Sequence, residues 1–176
     1  RGAKMLDKHF QALTQMPALR SLDLAVSRFP MDSFSHLDSL HDLRRIDLSR
    51  TTAKLNLASK SEWLQRIESL HLRSAGLVDD DLNSLWYQCP NLRILDLSRN
   101  RLTDDALPWL LKCGRLEELS LAQTGVTGDG ILQLRSLENL RRLDLRGMAI
   151  TEKQLAALKK ERPQLRICWT HRSAER

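Results

Sequence analysis

Leucine and isoleucine recur along the chain in an LxxLxL pattern. It runs through Leu19-Leu22-Leu24, Leu43-Ile46-Leu48, Ile67-Leu70-Leu72, Leu92-Leu95-Leu97, Leu116-Leu119-Leu121 and Leu140-Leu143-Leu145, with a decayed seventh copy opening at Leu165. Successive copies begin 24, 24, 25, 24, 24 and 25 residues apart. Other columns keep the same phase. Ten residues past each start stand Phe29, Ala53, Leu77, Leu102, Val126 and Ile150, and three before stand Met16, Leu40, Leu64, Cys89, Cys113 and Leu137. Such self-similarity marks a chain built of stacked units, none of which buries its own apolar face.

Within each LxxLxL the leucines spaced by two point to one side of a short strand. Parallel stacking of these strands at about 4.8 Å would then build one continuous core. After the strand the chain turns, and Thr103, Thr127 and Thr151 stand where an N-cap would open the return segment, Thr151 and Gln154 having the spacing of a capping box. Apolar residues follow at helical spacing, as in Leu107, Leu110 and Cys113, or Ile131, Leu134 and Leu137. The second repeat breaks this pattern between Thr51 and Gln65, with Ala58 and Ser61 in core columns. Phe10, Leu13 and Met16 fit the helix columns of a preceding repeat, so 1–18 reads either as a cap helix or as part of a repeat. Six repeats fill 19–164, and 165–176 reads as a decayed last repeat with a polar tail that blunts the last strand edge.

The most regular unit is Cys89-Pro-Asn-Leu-Arg-Ile-Leu-Asp-Leu-Ser-Arg-Asn-Arg-Leu-Thr-Asp-Asp, followed by its successor through Leu121, Thr124 and Val126-Thr127. It resembles the repeats of leucine-rich repeat proteins, in particular the ribonuclease-inhibitor-like and cysteine-containing subclasses, and the resemblance covers nearly the whole chain. It implies an α/β solenoid: a right-handed superhelical horseshoe of about six to seven repeats, with a parallel sheet on the concave face and helices on the convex side. It also implies a non-catalytic scaffold that binds a partner protein through the concave face, within a larger sensor, adaptor or effector. The substrate receptor of a ubiquitin ligase is an alternative context.

A length of 176 residues, 41% hydrophobic and 28% charged, fits one domain with a sizeable core. No apolar run approaches the roughly 18 residues of a membrane span, and Arg1 to Asp7 contain no apolar signal segment, so no membrane partner is expected. Three cysteines without a CxxC pair point to a reducing, intracellular setting, cytoplasmic or nuclear. Cys89 and Cys113 share a column with leucines and read as core thiols. There is no nucleophile elbow, metal-protease helix or phosphate loop, and Gly125, Gly128 and Gly130 fall in a turn without a P-loop lysine. Neither a cofactor nor a metal is expected. A net charge of +6 would attract phosphate, which makes nucleic acid the alternative partner. Basic groups alternate with acids, however, and the strand positions lack the aromatics on which bases stack.

Binding chemistry should lie on the strand positions between the leucines. Positions 2, 3, 5, 7 and 8 of the six full units carry ten arginines, seven acids and no lysine, and Arg166 follows in the decayed copy. The arginine fork suits carboxylates, so an acidic or mixed-charge protein surface is the partner this face fits. The competing reading is mutual neutralisation of arginines and acids across strands. Position 5 gives a row of Asp23, Asp47, His71, Asp96, Ser120, Asp144 and Trp169. Three ligands on an open face make Asp47, His71 and Asp96 a poor metal site, and His71 reads instead as relief of repulsion between the aspartates. Trp63 and Trp86 lie on outer segments and Trp109 follows Pro108 at a helix start. Trp169 is the tryptophan most expected to stand exposed. The candidate partner-binding set is Arg45, His71, Arg73, Asp96, Arg99, Arg142, Arg146 and Trp169.

Overall fold

The computed structural model describes residues 4, 6–51, 61–83 and 85–170. Seven three-residue strands form one parallel sheet in chain order: β1 Ser21–Asp23, β2 Arg45–Asp47, β3 Ser69–His71, β4 Ile94–Asp96, β5 Glu118–Ser120, β6 Arg142–Asp144 and β7 Arg166–Cys168. The central residue of each strand faces inward, so Ile46, Leu70, Leu95, Leu119 and Leu143 are fully buried. Leu22 and Ile167, with a strand on one side only, are half-buried. Every strand predicted from LxxLxL is present.

Each of the first six strands leads into the same turn. In four of them an aspartate carboxylate accepts the amide two residues on: Ala25 for Asp23, Ser49 for Asp47, Ser98 for Asp96 and Arg146 for Asp144. The next residue is left-handed, with φ between 54° and 73° at Val26, Arg50, Ser74, Arg99, Gln123 and Gly147. Only glycine adopts that conformation without steric cost, and a β-branched valine bears the most. One position further, Asn100 is buried. Its amide donates to the Leu72 and Leu97 carbonyls at 2.8 Å and its oxygen accepts from the Leu77 amide at 3.1 Å. Thr51 and Thr124 occupy the same column with shorter side chains, each donating to a single carbonyl.

The outer segments are shorter and tighter than the apolar spacing predicts. They comprise α1 Asp7–Leu13, α2 Glu62–Arg66, α3 Leu85–Gln88, α4 Leu107–Leu110, α5 Gly128–Ile131 and α6 Glu152–Glu161, supplemented by 3₁₀ stretches at Met31–Ser39, Asp79–Leu82, Asp104–Ala106 and Leu132–Ser136. A 3₁₀ turn rises about 2.0 Å per residue against 1.5 Å for an α-helix, so it spans the outer side of a short repeat with fewer residues. Within the second repeat the residues from 52 to 60, including Ala58, lie outside the described residues, as does the tail at 171–176.

The three threonine caps form as predicted, with Thr103, Thr127 and Thr151 accepting from the Asp105, Gly130 and Gln154 amides. Two of them also tie one repeat to the next. Asp79 accepts from the amide and hydroxyl of Thr103, and Asp104 does the same for Thr127. At the last repeat the Arg162 guanidinium donates to four carbonyls, those of Arg135, Leu137, Glu138 and Leu140.

Two expectations are corrected at the ends of the stack. Met16 shares a column with buried leucines but is 52% exposed, lying past the end of α1, whose buried Phe10 sits in an edge-to-face cluster with Phe29 and Phe34. The last strand is shifted by one residue. Arg142 pairs with Arg166, Leu143 with Ile167 and Asp144 with Cys168, so the final interval is 24 residues rather than 25. Cys168 therefore takes the place in the aspartate row assigned to Trp169, and Trp169 turns inward, half-buried against the core.

Asn100→Ala would leave two carbonyls and one amide without their partner in a buried site and is expected to lower unfolding stability by about 2 to 4 kcal/mol, read from urea denaturation. Val26→Gly relieves the left-handed valine and should raise stability by about 0.5 to 1 kcal/mol in the same assay.

Candidate functional site

Because the strands are in register, the concave face consists of rows in which each repeat contributes one residue. The rows at the strand starts are laced. Arg93 makes two hydrogen bonds to Glu117 at 2.7 and 2.9 Å, Arg142 lies 3.1 Å from Glu118, and Arg44 lies 3.8 Å from Glu68. Hydrogen bonding to Glu117 and its charge raise the Arg93 guanidinium further above its usual range. These pairs realise the mutual neutralisation weighed from the sequence. The Arg93–Glu117 and Arg44–Glu68 pairs line an open depression of about 440 Å³ with Arg20 and Arg45, around the half-buried Ile94.

In the central row each aspartate is committed to its own turn, and Asp96 also accepts the Ser98 hydroxyl at 2.6 Å. His71 sits between Asp47 and Asp96 in the pairing, as predicted, but its Nε2 lies 3.1 Å from Ser69 Oγ on its own strand, and neither aspartate is its hydrogen-bond partner. Among the described residues no group of three His, Cys, Asp or Glu side chains is placed to hold a metal ion.

The two rows beyond the strand ends differ from the rest. From the first repeat to the sixth they read Ala25-Val26, Ser49-Arg50, Arg73-Ser74, Ser98-Arg99, Ala122-Gln123 and Arg146-Gly147, with four arginines and no acid. Arg146 closes a fork onto Asp144, at 2.6 and 2.9 Å. No ion pair or side-chain hydrogen bond within the described residues engages Arg50, Arg73 or Arg99. Arg73, Arg99 and Arg146 surround a notch of about 180 Å³ floored by Ser98, Ala122 and Gln123.

The structure thus brings Arg73, Arg99 and Arg146 together and keeps Arg45 and Arg142 on the strand-start side. Trp169 is removed from the exposed face by the register of β7. Sequence reasoning missed the turn-capping role of the aspartates, although an acid two residues before Ala25, Ser49 and Ser98 was a legible signal. On the outer side, Trp63 is core, while Trp86 and Tyr87 are 38% and 46% exposed. The Lys112 ammonium lies 5.0 Å from the Trp86 ring and 4.7 Å from that of Trp109, a cation held between two aromatic faces. Cys89 and Cys113 are buried as predicted. Burial pushes both thiols up, Cys113 to about 12, and the neighbouring Cys113 adds to the effect on Cys89.

The Leucine Rich Repeat family model matches residues 91–113, the most regular unit of the sequence. The fold is that of the leucine-rich repeat proteins. Receptor-like protein 14 of Arabidopsis thaliana is 37% identical over 84 residues, which cover 46% of this chain and 8% of that protein. The crystal structure of internalin C2 from Listeria monocytogenes superposes with a TM-score of 0.64 at 22% identity, over 97% of this chain and 70% of the internalin. A second internalin, inlF, of the same organism gives 0.54 at 18% identity over 92% of this chain and 50% of its own. The chain therefore spans only part of these proteins, and at such identities the internalins establish the leucine-rich repeat fold alone. No described helix is long and apolar enough to cross a membrane.

The Asp144–Arg146 fork makes a pH dependence. Burial alone would raise the Asp144 carboxyl, but the Arg146 side-chain and backbone hydrogen bonds, with the charges of Arg146 and Arg73, outweigh it and hold it below its usual range. A carboxylate lowered on folding stabilises the fold above the ordinary carboxylate range and loses that contribution as pH falls through the lowered value. Asp144→Asn should flatten the loss of stability between about pH 5 and pH 3, followed as urea midpoints; a slope identical to wild type would refute the assignment.

Proposed function

We propose that this leucine-rich repeat chain is a non-catalytic recognition module that binds a partner protein of acidic or mixed charge through its concave face. The carrying observation is the set of arginines on that face that make no ion pair or side-chain hydrogen bond within the described residues, Arg45, Arg73 and Arg99 among them, beside three arginine–glutamate pairs at the strand starts. Guanidinium forks whose donors face water retain their capacity for bidentate carboxylate binding, and aromatic stacking platforms for bases are missing from these rows. Nucleic acid is accordingly the second choice of partner for so basic a chain. An intracellular sensor, adaptor or effector, or the substrate receptor of a ubiquitin ligase, is the setting that this reading favours.

The test is capture of partners from lysate of the source cell, with and without nuclease treatment. It compares wild type with an Arg45→Glu, Arg73→Glu, Arg99→Glu variant, which breaks no ion pair within the described residues, and with a Trp86→Ala, Tyr87→Ala variant of the outer side. A protein retained by wild type and the outer variant, and lost from the arginine variant, is the expected result. Retention by the arginine variant with loss from the aromatic one would move the binding surface to the outer side, and loss of all capture on nuclease treatment would replace protein by nucleic acid.

A further inference from the structure

The two sides of the concave face are electrostatically different, and the difference locates a binding site within the face. At the strand starts Arg44, Arg93 and Arg142 meet glutamates in adjacent repeats; Arg20, Arg45, Arg141 and Arg166 make no ion pair within the described residues, but a new carboxylate in the depression there would lie beside those of Glu68 and Glu117. At the strand ends, the two outer rows contain no acid at all. The nearest carboxylates, those of Asp96 and Asp144, are drawn back onto the amides of Ser98 and Arg146.

Side-chain size shapes the same region. The row that carries Arg73 in the third repeat and Arg146 in the sixth carries only Ser98 and Ala122 between them. With parallel strands about 4.8 Å apart, the two arginines stand on backbones roughly 14 Å from one another with small residues between. That is the notch of about 180 Å³. Arg99 reaches it from the neighbouring row, on a left-handed backbone with φ 58°. Arg146 is tied to Asp144 and forms a fixed wall, whereas Arg73 and Arg99 keep their forks open. Arg73 is half-buried and Arg99 exposed, so one of the two open charges has already lost part of its water.

We propose that this notch is the site at which the partner protein's acidic side chains dock, an extended segment rich in aspartate or glutamate placing a carboxylate between Arg73 and Arg99. The proposal rests on the concave-face reading above and narrows it to the strand-end side. The depression at the strand starts, lined by Glu68 and Glu117 as well as by arginines, contributes contact area around Ile94. Two hydrogen bonds from a single fork match a carboxylate in plane, and small floor residues let the acidic chain approach the sheet closely.

Fluorescence anisotropy with a fluorescein-labelled glutamate dodecapeptide tests this at low salt. Wild type is compared with Arg73→Gln, Arg99→Gln and with a charge-matched control, Arg20→Gln, Arg45→Gln, from the strand-start side. The expected result is an affinity loss of tenfold or more in the first variant and less than threefold in the control, with a glutamine dodecapeptide binding no variant. Equal losses in both variants would overturn the proposal in favour of diffuse attraction. Tighter binding of a labelled twelve-nucleotide single strand than of the acidic peptide, lost in the first variant, would give the notch to phosphate instead. If the peptide fails to bind while the lysate partner is still lost from the arginine variant, the notch assignment falls and the concave-face reading stands. If the lysate partner survives there as well, both fall.

Discussion

No single repeat of this chain could exist folded. A coil of some two dozen residues contributes a strand residue such as Leu95 and flanking residues such as Leu92 and Leu97, each worth about 1.5 to 3 kcal/mol when fully buried, and all of them need a neighbouring coil to cover them. Stacking is therefore compulsory, and the parallel register of three-residue strands fixes how it is done. The half-buried Leu22 and Ile167 at the two ends of the sheet, against the sealed leucines between them, show the dependence directly. Register has a second consequence. Whatever residue one coil places at a given position is aligned with its counterpart in the next, so a surface that looks irregular in sequence becomes ordered rows in space.

The turn at the strand end is the other repeated obligation. Each coil leaves the sheet through a left-handed residue, preceded in four of the described turns by an aspartate that accepts a backbone amide. His71 and Ser120 hold the same row where the aspartate is missing. The acids of the central row are thus structural before they are electrostatic. Their like charges tolerate a spacing of one strand because each carboxylate turns to the partial positive charge of an amide within its own coil.

Most of the fold was legible because it is written twice, once as alternation within a strand and once as columns across repeats. Leu119 and Leu121 satisfy both readings. Where only one reading was available, it erred. Leu165 is apolar at about the right distance and reads as a repeat start, but hydrogen-bond register counts residues and places Ile167 and Trp169 inward. Helical spacing does not separate an α turn from a 3₁₀ turn, so Leu132 to Ser136 read as ordinary helix. The candidate site was legible at the level of composition, arginine without lysine, and not at the level of pairing. Whether Arg93 meets Glu117 or Glu68 is decided by side-chain rotamers that no periodicity records.

What the fold requires of the face separates from what it merely permits. The strand-start ladder contributes attraction between coils, and the aspartate row closes the turns. Of the arginines beyond the strand ends, the side chains of Arg50, Arg73 and Arg99 do neither. Ser49, Ser98 and Ala122 occupy the row of Arg73 and Arg146 in other coils without disturbing the turn, and Arg99 holds a left-handed position where glycine would be less strained. Clustering Arg73, Arg99 and Arg146 in one notch adds repulsion that a single nearby fork onto Asp144 only partly offsets. A feature that costs stability, that neighbouring repeats manage without, and that leaves charged forks open at the rim of a concave sheet is accounted for by a ligand more readily than by folding.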